Sequence, residues 1–316
     1  MKNTSPMKHI KMMLLLSFIF HFHPSSAEYL MEAGFRTGVA SYEGQYHYVS
    51  PVPDLHAGLQ LSFAYHSSRV VGFRFAATID CHRAGFGKKD YTDTYSVIDV
   101  ENEPMQVDYT IGYLSERHTV WSVGIPLQLA LAKKNVSFYI GPKIVFPLQS
   151  RSKIVFPLQS RWTAKAEASA LSVYYPTYDN RVYESYPLAA SRSFREERRG
   201  TLQLPPVQYW LAAELNYDIP VYTAQRVKSY LSVGVYFDYS LSSLTADPSE
   251  RISLLMLSDT RDGFPLQRIM TPVVSAFRRG RRLVTSRNPF DVGVKISYRF
   301  APYNPHRDAY KTCHCF

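Results

Sequence analysis

Cysteine is scarce in this chain, with only Cys81, Cys313 and Cys315 among its 316 residues. An odd number of cysteines gives an exported protein no disulfide framework. Cys313 and Cys315 flank His314, but two cysteines at this spacing form a poor chelate unless other ligands join them. We therefore expect no metal site, and we interpret residues 302–316 as a periplasmic C-terminal tail.

Long apolar runs are also missing. After residue 27 no stretch approaches the ~20 apolar residues that a membrane-spanning helix needs, which excludes a helical membrane protein. The apolar run 12–20 is too short to span a bilayer and follows Lys2, Lys8 and Lys11. Together with the small residues that end at Ala27, it predicts a signal peptide over 1–27 and export of the mature chain.

Motifs of catalysis are absent too, since the sequence has no glycine-rich phosphate loop, zinc pattern or paired-carboxylate motif. His56, Ser62 and His66 share one face of a predicted strand, but no acid is paired with them in the sequence, and His118 is isolated. A catalytic nucleophile needs a base and an orienting group beside it. We therefore predict that the protein is not an enzyme, has no catalytic residues and uses no cofactor.

The chain does contain an alternation of apolar and polar residues with a period of two, which indicates β-strands with two different faces. In the first segment, for example, Phe35, Thr37 and Val39 alternate with Arg36 and Gly38. The pattern recurs in eight segments, at 29–39, 55–66, 71–80, 121–131, 136–146, 207–217, 228–239 and 290–300.

Short and long connections alternate between these segments. The long ones are expected over about 44–54, 81–118, 150–205 and 242–287, and the other three are short. Short periplasmic turns and long extracellular loops are typical of up-and-down outer-membrane barrels. The sequence therefore predicts an all-β fold over 28–301: an eight-stranded antiparallel up-and-down transmembrane β-barrel with long extracellular loops, in the cell outer membrane.

The polar face of the predicted strands carries glycines and balanced charges. Because an eight-stranded barrel has a narrow interior, this face should point inward and the large apolar side chains should face lipid. Unpaired charges are costly in such an interior, and with Asp80 and Asp218 the inward set has six acids and six bases. We predict that a charge network plugs the lumen, formed mainly by Glu32, Arg36, Arg74, Lys143, Glu214, Lys228, Asp238, Asp291, Lys295 and Arg299.

The two longest connections are rich in arginine and tyrosine. Tyrosines cluster over 174–186, and arginines follow at Arg192, Arg195, Arg198, Arg199, Arg278, Arg279, Arg281, Arg282 and Arg287. We call the first eight of these arginines the basic rim. A basic rim at the outer surface would attract lipopolysaccharide phosphates and acidic sugars. Nucleic-acid binding uses the same residue types, but the compartment argues against it.

A central stretch of the chain resembles a known family. Ser122–Leu129 (SVGIPLQL), the basic turn Lys133-Lys134 and Phe138–Lys143 (FYIGPK) resemble the central hairpin of the Bacteroidota outer-membrane β-barrel family. That family includes PorT-like proteins and is similar in architecture to the OmpA barrel. The resemblance in motif covers about 120–180, and Tyr174–Tyr178 contributes to it. It implies the same fold, and nothing in the chain resembles the peptidoglycan-binding domain of OmpA.

These observations favour a closed, monomeric barrel with a structural or surface-interaction role, whose partners are outer-membrane lipid and lipopolysaccharide. The alternative is a subunit of an outer-membrane secretion or uptake complex, with an envelope protein as partner. A small diffusion pore is a weaker alternative.

A stretch of nine residues occurs twice, because Lys143–Arg151 is repeated identically at Lys153–Arg161. The offset of an even number of residues keeps every side chain on the same face of a strand. We assign the repeat no function.

Overall fold

The computed structural model describes residues 28–66, 70–98, 102–148, 161–182, 194–201, 204–223, 228–243, 252–258, 267–270, 273, 276–278 and 281–301. The predicted signal peptide 1–27 and tail 302–316 lie outside these residues, as does most of the second copy of the repeat. None of the helices in the described part of the chain is long and apolar enough to cross a membrane.

The described residues form sixteen strands and one short 3-10 helix, Pro176–Tyr178. The strands are β1 (Glu28–Tyr46), β2 (Ser50–His66), β3 (Val71–Ile98), β4 (Pro104–Lys133), β5 (Val136–Pro147), β6 (Arg161–Tyr175), β7 (Asn180–Val182), β8 (Phe194–Thr201), β9 (Gln208–Thr223), β10 (Lys228–Ser240), β11 (Ile252–Ser253), β12 (Leu255–Ser258), β13 (Gln267–Met270), β14 (Ala276–Arg278), β15 (Arg281–Arg282) and β16 (Val284–Ala301).

Eight of these strands close into a ring, in the order β1-β2-β3-β4-β5-β9-β10-β16 and back to β1. All neighbours are antiparallel, and β1 closes the ring by pairing with β16, for example Arg36 opposite Lys295. The predicted fold class, an all-β barrel of eight up-and-down strands, is confirmed. Each predicted segment lies within one strand of the ring or overlaps it, because a two-faced strand leaves a clear period of two in the sequence.

The two faces of the ring are the reverse of those in a soluble barrel. Large apolar side chains point outward and are exposed, such as Leu61 at 65% and Leu59 at 60%, whereas Arg36 and Lys295 point inward and are 1% and 0% exposed. We call the outward surface of large side chains the apolar band. We place its upper edge at Cys81 and Trp121, which lie opposite each other on β3 and β4 and beyond which Arg83 and Arg117 lie on the same faces. On β1 and β16 we place the edge at Val39 and Phe290.

One close approach of strands needs glycine on both sides. Gly38 of β1 lies directly opposite Gly293 of β16. A methyl group added to either residue would fall on the backbone of the other strand. The pair therefore lets β1 and β16 lie close together where the ring closes, next to the inward charges of Arg36 and Lys295.

Above the apolar band the structure differs from the prediction. The connection predicted over 81–118 is itself mostly strand, because β3 and β4 continue as one long hairpin with Lys88 opposite Leu114 and Ile98 opposite Pro104. The connection predicted over 44–54 is wrong in length, since only 47–49 separate β1 from β2. Within 150–205, β6 adds to the free edge of β4, and β7 and β8 add to β6.

An apolar core lies above the band, where the hairpin meets segments of the last connection. Phe86, Ile111 and Leu114 of the hairpin are buried together with side chains from the segment between β10 and β16: Leu254, Val273, Ala276 and Leu283. The backbone N–H of Val273 donates to Oε2 of Glu116 at 2.6 Å. The last connection therefore covers the upper mouth of the barrel at this point.

Candidate functional site

The lower half of the lumen holds a group of paired charges that we call the lower cluster: Glu32, Arg74, Glu214, Asp218, Lys295 and Arg299. Nζ of Lys295 lies 2.6 Å from both Oε1 of Glu32 and Oε2 of Glu214. Arg74 bridges the same two acids at 3.2 Å and 2.6 Å. Arg299 contacts Glu32 at 3.2 Å and Asp218 at 2.5 Å. The side chains come from β1, β3, β9 and β16, so the cluster spans the full width of the barrel.

A second group, the middle cluster, lies one layer higher and consists of Arg36, Asp80, Lys143 and Asp238. Nζ of Lys143 lies 2.8 Å from Oδ2 of both Asp80 and Asp238. Nη2 of Arg36 donates to Asp238 at 2.7 Å, and Nη1 lies 3.7 Å from Asp80. Two cations and two carboxylates therefore balance one another in a region where all four side chains are at most 4% exposed.

Aromatic rings fill the remaining width of the lumen. The guanidinium carbon of Arg36 lies 4.0 Å from the ring centroid of Tyr236, and that of Arg74 lies 4.3 Å from the ring centroid of Tyr139. Both rings are almost fully buried. A cation over an aromatic face is attracted by the ring quadrupole. The rings thus hold the two arginines in place while they occupy space that water would otherwise fill.

The carboxylate of Asp291 lies close to two histidine side chains inside the barrel. His82 Nδ1 lies 2.6 Å from one of its oxygens, and His56 Nε2 lies 3.8 Å from the other. A cavity of about 20 Å³ lies beside this pair, lined among others by Asp80, His82, Gln208, Trp210 and Asp291. This space is sufficient for about one water molecule. Beside Asp291 there is therefore room for a single water molecule.

A third group of polar side chains, the mouth cluster, lies above the apolar band and consists of Tyr42, Glu116, His118 and Arg287. His118 Nε2 lies 2.7 Å from Glu116 Oε1, while its Nδ1 lies 3.0 Å from the Tyr42 hydroxyl and 3.1 Å from Arg287 Nη1. A neutral imidazole with the proton on Nε2 satisfies all three contacts, donating to Glu116 and accepting from Tyr42 and Arg287.

Burial sets the protonation states of the mouth cluster. Removal from water lowers the pKa of His118 below its ordinary 6.5, although the neighbouring Glu116 opposes this effect. The same desolvation lowers the pKa of Arg287 and raises that of Tyr42. Because Glu116 also accepts the backbone N–H of Val273, the mouth cluster connects the barrel wall to the segment that covers it.

The structure brings most of the predicted network residues together inside the ring. These are Glu32, Arg36, Arg74, Lys143, Glu214, Asp238, Asp291, Lys295 and Arg299, all at most 5% exposed. Lys228 starts β10, opposite Ala301, but its side chain lies outside what the structure describes.

The predicted basic rim is not gathered in one place by the described residues. Arg278 is half-buried, with its guanidinium carbon 4.1 Å from the ring centroid of Tyr48, and it donates to Thr92 at 3.3 Å. Arg281 is exposed and Arg282 is half-buried on β15. Arg195, Arg198 and Arg199 belong to β8, where only the backbone is described; Arg192 and Arg279 lie outside the described residues.

Sequence reasoning missed the mouth cluster. His118 is not isolated, because Glu116 on the same strand face and Tyr42 and Arg287 on other strands surround it. Arg287 was expected in the outer loop, but it is fully buried inside the barrel. The sequence did contain a sign of this position. Arg287, Asp291 and Lys295 are separated by even numbers of residues, so their side chains point to the same, inward face of β16.

The fold and the lumen together define a class: a closed eight-stranded barrel with a charged, filled interior and an apolar exterior. No protein-family model matches the chain, and no curated protein matches it. Among solved structures, the chain is similar to Ail, the attachment invasion locus protein of Yersinia pestis, solved in complex with the heparin analogue sucrose octasulfate. The identity is 7%, the TM-score is 0.29, and the match covers 86% of this chain and 99% of that one.

Proposed function

We propose that this chain is an integral outer-membrane protein, exported by its signal peptide, whose lumen is plugged and whose upper parts contact lipopolysaccharide or an extracellular ligand. The observation that carries the proposal is that the ring has an apolar outer surface and a charged inner surface. Side chains such as Leu59, Leu61 and Tyr209 are at least 60% exposed on the outside of the ring, while lysines and arginines are buried inside it. Only a lipid exterior makes both arrangements favourable, because water would stabilise the reverse.

The plugged lumen is supported by the two ion clusters stacked along the barrel. Each cluster fills the cross-section with charge pairs and rings, and a buried cation deprived of its partner carries a cost of several kcal/mol. Ions would therefore find no continuous water column. We propose a structural or surface-interaction role, as a monomer, without catalysis, in preference to a diffusion pore.

Two measurements test this proposal. A folded barrel should migrate faster than its heat-denatured form in a gel, and it should fractionate with outer membranes. In planar lipid bilayers the purified protein should show no steady conductance. A protein that fractionates with soluble material would overturn the membrane assignment, and a large steady conductance would overturn the plugged lumen while leaving the barrel intact.

A subunit of an envelope machine is the second candidate. It is supported by the sheet that β6, β7 and β8 build onto β4 above the band, since such an extension offers strand edges and faces to a partner protein. The resemblance of the hairpin 122–143 to PorT-like Bacteroidota barrels is compatible with this candidate. Affinity purification from solubilised outer membranes tests it, and recovery of the protein alone, at the mass of one barrel, would count against it.

A further inference from the structure

Charged side chains on the outward face lie just above the apolar band, on β2, β3 and β4. Arg83 follows Cys81 on the outward face of β3, and Arg117 follows Thr119 and Trp121 on the outward face of β4. At about 3.3 Å per residue along a strand, Arg83 lies about 7 Å beyond Cys81. Both arginines are therefore at the height where lipid headgroups meet water, on the side of the protein that faces lipid.

Asp54 connects the two arginines. Nε of Arg117 lies 2.8 Å from Oδ2 of Asp54, and Nε of Arg83 lies 3.8 Å from the same oxygen. A β-bulge explains this meeting, because the register between β2 and β3 shifts between Pro53 and His56. Two residues of β2, Asp54 and Leu55, thus occupy the space opposite Arg83, and the bulge turns the carboxylate toward both guanidinium groups.

The contacts with Asp54 leave the outer edges of the guanidinium groups available. In both ion pairs the arginine atom near the carboxylate is Nε, and the arginine side chains are 37% and 57% exposed. A guanidinium group has a planar set of N–H donors that matches the oxygens of a phosphate, and in these two exposed side chains part of that set is accessible. Asp54 neutralises only one of the two positive charges, and exposed Lys89 lies on the same face of β3 six residues beyond Arg83.

The other described strands of the ring carry no outward cation just above the band, and β1 carries the exposed acid Glu43 there. The corresponding outward positions carry Tyr209 on β9 and, just after β10, Leu241, which are 60% and 63% exposed. A diffuse basic collar would surround the whole barrel, whereas the outward cations at this height in the described strands of the ring lie on β3 and β4 only. The arrangement is that of a local binding site.

We propose that Arg83 and Arg117, oriented by Asp54, bind a phosphate group of a phosphorylated glycolipid in the outer leaflet. This inference rests on the proposed outer-membrane function, and it places the lipid phosphate on the barrel wall instead of in the arginine-rich loops. Recognition of a lipid phosphate here would fix one lipid beside the β3–β4 hairpin.

The test compares the wild-type barrel with Arg83→Gln/Arg117→Gln in detergent, using lipid A as the probe and native mass spectrometry to measure the bound fraction. We expect the double variant to bind lipid A about a hundredfold more weakly, because each of the two arginines contributes a charged hydrogen bond worth roughly a factor of ten. The wild-type protein should bind dephosphorylated lipid A as weakly as the double variant binds lipid A. Lys134→Gln, at the opposite end of the barrel, is the matched control and should bind like wild type.

Two further arms decide between explanations. Arg83→Lys/Arg117→Lys keeps the charge and loses the planar donor pairs, so it should resemble the Gln variant; binding equal to wild type would reduce the site to diffuse attraction and overturn the proposal. Inorganic phosphate alone should not saturate the site, and tight binding of it that depends on both arginines would also overturn the lipid assignment. Heat-modifiable gel mobility of every variant separates failure of this site from failure of the barrel.

Discussion

Arg74 and Glu214 are 140 residues apart in the sequence, yet Nη1 of the arginine donates to Oε2 of the glutamate at 2.6 Å in the centre of the lumen. The same glutamate accepts from Lys295 at 2.6 Å. One carboxylate therefore contacts two buried cations that come from different strands, and neither cation can reach water without leaving the barrel interior. The contribution of this carboxylate to stability can be measured directly.

Glu214→Gln should destabilise the barrel by about 3–5 kcal/mol, because it leaves Arg74 and Lys295 with too little negative charge. Urea unfolding of the protein refolded into lipid vesicles gives the free energy of unfolding. Glu43→Gln, which changes an exposed acid on β1, is the control and should have little effect. Combining Glu214→Gln with Lys295→Gln should cost less than the sum of the two single changes; an additive result would contradict the coupling described for the lower cluster.

Leu61→Arg tests whether the apolar band faces lipid. Leu61 is 65% exposed, so in a soluble protein this substitution would be nearly neutral. In a bilayer an outward arginine near mid-depth costs about 2–4 kcal/mol, and we expect a loss of unfolding free energy of that size in vesicles. Leu241→Arg changes a residue that is similarly exposed, at 63%, but lies above the band. Equal effects of the two substitutions would argue against the membrane position of the band.

Gly38→Ala should destabilise the closure of the ring by about 1–3 kcal/mol, as overpacking of a tight site does. The added methyl group would fall on the backbone of β16, which cannot move aside as a side chain could. Gly87→Ala is the milder comparison, because its methyl group would first meet the side chain of Val52 at 3.0 Å. The reduced fraction of heat-modifiable, folded protein after refolding is the readout, and a loss no larger for Gly38→Ala than for Gly87→Ala would be inconsistent with the close approach.

His118 should make the stability of the barrel depend on pH. Its pKa is lowered by burial, so below about pH 6.5 the unfolded chain binds a proton on this residue that the folded protein does not bind. The unfolding free energy should therefore fall as the pH decreases through 6.5 and below. Urea titrations at pH 7.5 and pH 5 should show a larger loss for wild type than for His118→Gln. If both proteins lose the same amount, another group is responsible for the acid sensitivity.

The part of this fold at the level of the apolar band could be predicted from the sequence because each strand there has one polar and one apolar face. Arg36, Asp80 and Lys295 could be assigned to the interior from parity alone. The alternation along a strand does not show which charged side chains form ion pairs, because that depends on the register between strands that are distant in sequence. The contact between Arg36 of β1 and Asp238 of β10 is such a case.

Above the band the sequence signal fades for a physical reason. The upper part of β3 faces water on one side and a small core on the other, and exposed Lys88, Lys89 and Asp90 interrupt the alternation. Asp90 also has a positive φ of 52°, which marks an irregularity where the pairing skips a residue. The extension of the hairpin, and with it the partners of His118, could therefore not be read from the pattern.

The pairing of β1 with β16 has a consequence for how the protein is made. The edge of β1 that pairs with β16 has no partner until the chain has been synthesised as far as residue 301, so the ring cannot close before the last strand is present. Until then two strand edges are unprotected, and such edges pair readily with other chains. For the outer-membrane protein proposed above, we therefore expect biogenesis to depend on holding the unfolded chain in the periplasm, and on an insertion step that begins only when the last strand arrives.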